Sequence, residues 1–87
     1  MANHAQAKKR IRQTEKRTAR NRHVRSTVRS AIKQARVAIA AGEAGPAKTA
    51  VHTAETQIRK AMSKGIYHPR TASRYISRLA QQAARLG

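Results

Sequence analysis

Cysteine is absent from the 87 residues, so neither a disulfide nor a thiolate metal site can brace the chain. Phenylalanine and tryptophan are absent as well, which leaves Tyr67 and Tyr75 as the only aromatic residues. A chain without an aromatic set on which unpaired bases stack does not resemble the sheet-based readers of single-stranded RNA. Carboxylates are almost missing: Glu15, Glu43 and Glu55 lie too far apart to form a catalytic pair by local spacing. No glycine-rich phosphate loop or nucleophile motif accompanies them, so no enzymatic activity is expected. His4, His23, His52 and His68 have neither metal-ligand spacing nor cysteine partners, and no metal or other cofactor is expected. No apolar run approaches the roughly 18 residues of a membrane span, and the amino terminus lacks the apolar core of a secretory signal. A cytoplasmic residence is the plain expectation, without a membrane or a small-molecule substrate as partner.

What the chain has in excess is positive charge. Twenty lysines and arginines face three acids, a formal net charge of +17. Self-repulsion on that scale opposes compaction and favours a polyanion as partner, with nucleic acid first among the candidates. The charge leans towards the amino terminus: 12 of the 20 basic residues lie within the first 36 positions, beside a single acid. A chain of this length makes at most one domain, 1–87, with little interior to bury.

The stretch from Lys8 to Ala41 reads as one helix with two unlike halves. At about 100° per residue, Val24, Val28, Ala31, Ile32, Ala35, Ala38 and Ile39 form one apolar seam. Arg22, Arg25, Arg29, Lys33 and Arg36 project on the opposite side as a continuous cationic ridge. In the leading half, Lys8, Lys9, Arg10, Arg12, Lys16, Arg17 and Arg20 are read as scattered around the whole circumference, with Ile11 the only large aliphatic and off the later seam. Such a half cannot dock on a core and is marginal alone in water. A cleft between nucleic acid helices would supply its surround.

Residues 1–7 lack periodicity and are expected to form a tail that orders on binding. Ala41-Gly42 followed by Glu43-Ala44-Gly45-Pro46 combines a helix stop with a tight connection. Pro46 then suits the first turn of a second helix over 46–64, whose buried face is Ala50, Val51, Ala54, Ile58, Ala61 and Met62 and which Gly65 closes. After a joint at Ile66-Tyr67-His68, Pro69 starts a third helix over 69–86. Ala72, Ile76, Leu79, Ala83 and Leu86 form its seam, and Arg70, Arg74, Arg78 and Arg85 lie on the other side. Neither tyrosine has an aromatic neighbour in the sequence, so both are expected to pack at the core or the joint rather than to stack on bases.

Lengths then specify the architecture. The second and third helices are each roughly 25–30 Å long and match the amphipathic half of the first, while its leading half overshoots by about 20–25 Å. The fold class is all-α: a three-helix bundle with a long first helix whose N-terminal half projects beyond it. An alanine-rich core removes little apolar area per residue, so the bundle alone is expected to be marginally stable and to be completed by its partner. A ridge of one sign of charge without acids interspersed reads as a phosphate-contacting face rather than a solvated one. It offers positioning contacts to backbone rather than a code for base edges, which points to recognition of folded shape. The alternative by charge alone is a nucleoid-type DNA-compacting protein. Tails of that kind tend to be low-complexity Lys, Ala and Pro repeats, whereas this basic stretch is arginine-rich, non-repetitive and continuous with a packing seam.

The opening Met1-Ala2-Asn3, then Ala7-Lys8-Lys9-Arg10-Ile11-Arg12-Gln13, Glu15-Lys16-Arg17 and Arg20-Asn21, closely resembles the start of the S-twenty family of bacterial small-subunit ribosomal proteins. A second block, Lys64-Gly65-Ile66, His68, Ala72, Arg74 and Ser77-Arg78-Leu79, is similar to that family's loop and third helix. The likeness covers essentially the whole chain at matching length. It implies a three-helix bundle whose first helix reaches into folded 16S ribosomal RNA, binds early in assembly near the bottom of the small subunit body, and contacts the 5′ domain and the long penultimate helix. It also implies a constituent of the assembled subunit that does not homo-oligomerise. Lys8, Lys9, Arg10, Arg12, Lys16, Arg17 and Arg20 are then the arm contacts, and His68, Arg74 and Arg78 come from the second block. Lys64 and Arg70, flanking the same loop, join the candidate RNA-binding residues. The chain departs from the family at Pro69-Arg70, where Lys-Asn is common, so a helix-capping asparagine is lost.

Overall fold

The computed structural model describes residues 2–86, which form three helices: α1 (Ala2–Ala40), α2 (Ala44–Ser63) and α3 (Pro69–Ala84). The radius of gyration is 17.6 Å and the principal extents are 65 × 21 × 13 Å. A compact chain of this length would have a radius of gyration of about 12 Å. The excess comes from α1, whose 39 residues stand beside helices of 20 and 16.

The core is built from small residues on all three helices. Val28, Ala31 and Ala35 of α1, Val51, Ala54, Ile58 and Ala61 of α2, and Ala72, Leu79 and Ala83 of α3 form one buried cluster. Val24, Ile32, Ile39, Ala50, Met62 and Ile76 pack half-buried around it. The apolar seams expected from helical spacing are therefore the buried faces, with Ala47 of α2 buried in addition. Six of the ten cluster positions are alanine, and Ile58 and Val28 are the largest fully buried side chains. Close approach of the helices substitutes for large side chains, at the cost of little apolar area removed from water.

Helix ends follow local chemistry. At Gly65 the φ angle is +76°, its N–H donates to the Met62 carbonyl at 2.9 Å, and the Ile66 N–H donates to the Ala61 carbonyl at 3.0 Å. These two bonds make a Schellman motif, which needs the left-handed backbone that glycine adopts without strain. Gly42, at φ +82°, ends the first helical segment in the same conformation.

Two helix starts differ from the sequence expectation, and the three helix ends fall one or two residues earlier than expected, at Ala40, Ser63 and Ala84. Residues 2–7, expected as a tail, are helical, because Ala2, Ala5 and Ala7 carry high helix propensity and nothing there breaks a helix that has already formed; Met1 lies outside the described residues. The second helix begins at Ala44 rather than Pro46. Pro46 thus occupies the third helical position, where the missing amide still has no intrahelical partner to lose. Gly45 has no Cβ to clash with the proline ring, which eases helical geometry just before a proline.

Replacing Leu79, which is 2% exposed, by alanine is expected to cost about 2–5 kcal/mol of stability in thermal or urea unfolding. Gly65→Ala adds a methyl group in open space but in a left-handed conformation, and is expected to cost about 1–2 kcal/mol; an unchanged melting curve would contradict the Schellman assignment.

Candidate nucleic-acid interface

Every described side chain from His4 to Arg20 is exposed; half-burial begins at Asn21 and Val24 and full burial at Val28. Residues 2–20 of α1 thus extend as an arm of roughly 28 Å, longer than expected because the helix already starts at Ala2. Lys8, Lys9, Arg10, Arg12, Lys16, Arg17 and Arg20 all stand on it in solvent. No charged or polar side chain is buried among the described residues.

The arm's charge is not distributed all round. At about 100° per residue its seven cations cover a sector of about 200°, leaving a strip that holds Ala7, Ile11, Thr14 and Thr18. Ile11 is exposed there. By the same arithmetic, Arg22, Arg25, Arg29, Lys33 and Arg36 centre about 160° away from the arm's cations. The surface follows this division: Gln13, Lys16, Arg17 and Arg20 line one shallow depression, whereas Thr18, Asn21, Arg22, Arg25 and Arg29 share another. One helix therefore carries two cationic faces that point to nearly opposite sides.

The third helix adds to the second of these faces. Arg25, Arg29, Lys33 and Arg36 line a groove of about 450 Å³ with Ile32, Tyr67 and Tyr75. Arg36 and Arg78 flank a smaller adjoining depression with Tyr75 and Gln82. The tyrosines, expected to lack an aromatic neighbour, are each other's neighbour: their ring centroids are 6.1 Å apart at an interplanar angle of 76°. Eight residues separate them in the chain, but the turn at Gly65–His68 folds the joint onto the first turns of α3. Both rings are half-buried against the core, as expected, and both also border the cationic groove.

At the start of α3, His68 takes the place of the missing asparagine. Its Nδ1 accepts the Arg70 backbone N–H at 3.1 Å, with Pro69 in the first helical position. A neutral imidazole that accepts at Nδ1 carries its proton on Nε2, so the outward edge of the ring is a hydrogen-bond donor. Arg70 and Arg74 are exposed beside it. Lys64 lies apart, on a patch of α2 with Thr56, Arg59, Lys60 and Ser63. Arg59 and Lys60 add two cations to this patch that the spacing of the helix's buried face does not single out. Thr27, Thr49, Thr53 and Thr56 donate their hydroxyls to carbonyls four residues back and so bond within their own helices.

No helix among the described residues is long and apolar enough to cross a membrane, and no group of three or more His, Cys, Asp or Glu side chains gathers there. Fold and surface together define a class: a small, strongly cationic all-α bundle whose first helix overruns it. The family model for ribosomal protein S20 matches residues 2–84. The small ribosomal subunit protein bS20 of Geotalea uraniireducens is 56% identical over 87 residues, covering all of both chains. Those of Geotalea daltonii, 57% identical over 81 residues and 93% of each chain, and of Syntrophotalea carbinolica, 52% identical over the full length of both, are similar. The chain belongs to the ribosomal protein S20 family.

His68→Ala is expected to lower the melting stability by about 1 kcal/mol through loss of the cap, and His68→Asn to restore it. Equal melting curves for the wild type and His68→Ala would show the cap to be energetically idle.

Proposed function

We propose that this chain is a structural, non-catalytic constituent of the small ribosomal subunit in the cytoplasm. In this role it binds 16S ribosomal RNA directly and holds folded RNA junctions together during assembly. Support comes first from the family, whose members are named as small-subunit ribosomal proteins across full-length matches at above 50% identity. The observation that carries the RNA contact is the arm: seven cations on a helical segment with no protein surface to meet.

Two cationic faces on opposite sides of α1 suit a protein seated between RNA elements rather than lying on one. The arm residues Lys8, Lys9, Arg10, Arg12, Lys16, Arg17 and Arg20 neutralise phosphates on one side. Arg22, Arg25, Arg29, Lys33 and Arg36 do so on the other, joined by His68 at the cap of α3 and by Arg70, Arg74 and Arg78 on that helix. Lys64 contacts backbone from the patch on α2. These contacts position the protein by the shape of the RNA rather than by base sequence. Crowded phosphates repel each other, and a rod of fixed cations between them lets the junction persist.

Arg12, Lys16 and Arg17 replaced together by alanine are expected to weaken binding to small-subunit RNA and to lower the slope of log K against log salt by about 2–3. The bundle's melting transition should barely change. Competition separates RNA folding from generic charge: folded small-subunit RNA should displace labelled RNA better than equal masses of duplex DNA or unstructured RNA. Equal competition would instead support a DNA-compacting protein.

A further inference from the structure

We propose that the groove between α1 and the start of α3 receives a single unpaired nucleotide of the bound RNA, its base against the tyrosine rings and its phosphate on the α1 ridge. The inference rests on the RNA-binding reading above and adds a distinct contact to it. The groove measures about 450 Å³, within the roughly 300–1,000 Å³ typical of small-ligand sites. A ridge that met only duplex backbone would need no such recess.

Its lining is divided as a nucleotide is divided. Arg25, Arg29, Lys33 and Arg36 of α1 supply its cations, while Ile32, Tyr67 and Tyr75 supply apolar and aromatic surface. These two tyrosines are the chain's whole aromatic complement, and both border the same opening. Edge-to-face packing at 6.1 Å fixes each ring by the other and by the core, so little side-chain freedom remains to be lost on binding. Rigid aromatic surface beside fixed cations is the combination that holds unstacked bases, with sequence tolerance because every base presents a π face. Alternative occupants fit less well: an apolar peptide would leave four cations facing it, and an acidic peptide would leave the rings unused.

The absence of tryptophan makes the groove its own reporter, because tyrosine emission from this chain arises only there. Tyr67→Phe and Tyr75→Phe keep the ring surface and leave one emitter each. Titration with small-subunit RNA, with binding followed in the same samples by mobility shift, should quench most of the remaining emission in both variants. Tyr75→Leu should weaken RNA binding by about 5- to 150-fold without altering the salt dependence, since stacking releases no counterions, whereas Tyr75→Phe should bind like the wild type. RNA binding with unquenched emission in both phenylalanine variants would overturn the nucleotide site and leave the RNA-binding reading standing. Failure to bind RNA at all would remove that reading itself. A free nucleoside monophosphate should quench only far above the RNA concentration needed; saturation at comparable concentration would assign the groove to a soluble nucleotide and overturn the proposal.

Discussion

Twenty cations and three carboxylates on one small chain create a repulsion that the fold has to accommodate. The protein manages it by separation: each helix turns one stripe of small aliphatic residues inward and sets its arginines and lysines outward, where water screens them. On α1 the separation extends lengthwise as well. Its partners are 20 and 16 residues long, so more than a third of a 39-residue helix lies beyond any apolar cover. The overrun concentrates charge where the protein can least neutralise it and an external polyanion can best do so.

The bundle's modest core is consistent with this division. Alanine dominates the buried cluster, so helices approach closely but remove little apolar area. Specific local devices therefore matter more than they would in a larger domain. The Schellman turn at Gly65 and the imidazole cap at His68 stand three residues apart and together fix the reversal from α2 into α3. That reversal also carries Tyr67 back to Tyr75 and sets both rings beside the α1 ridge. A turn and a cap thus determine the shape of a groove formed by residues from distant parts of the chain.

Helical spacing made most of the core legible, since Val28, Ala35, Val51, Ile58, Ala72 and Leu79 each recur at three- and four-residue steps. Glycine and proline marked the ends of α1 and the start of α3 for definite backbone reasons. The helical start at Ala2 was not legible, because alanine propensity without apolar periodicity resembles a polar tail. Pro46 was placed too close to its helix end, because several positions in a first turn tolerate a missing amide. The tyrosine pair was hidden because its proximity depends on how a joint folds, and no spacing rule spans a joint. The arm's charges looked uniformly scattered as a list; their restriction to a sector becomes clear only when each is placed at its angle on the helix.

The central claim is that the arm has no folding partner within the protein and takes its order from a polyanion. Amide hydrogen exchange, followed residue by residue in the free protein and in complex with small-subunit RNA, tests it most directly. Amides of residues 8–20 should exchange much faster than those of Val28, Ile58 and Leu79 in the free protein, and should slow markedly on RNA binding while the core amides change little. Arm amides protected as strongly as the core before RNA is added, or still unprotected after it is bound, would contradict the account.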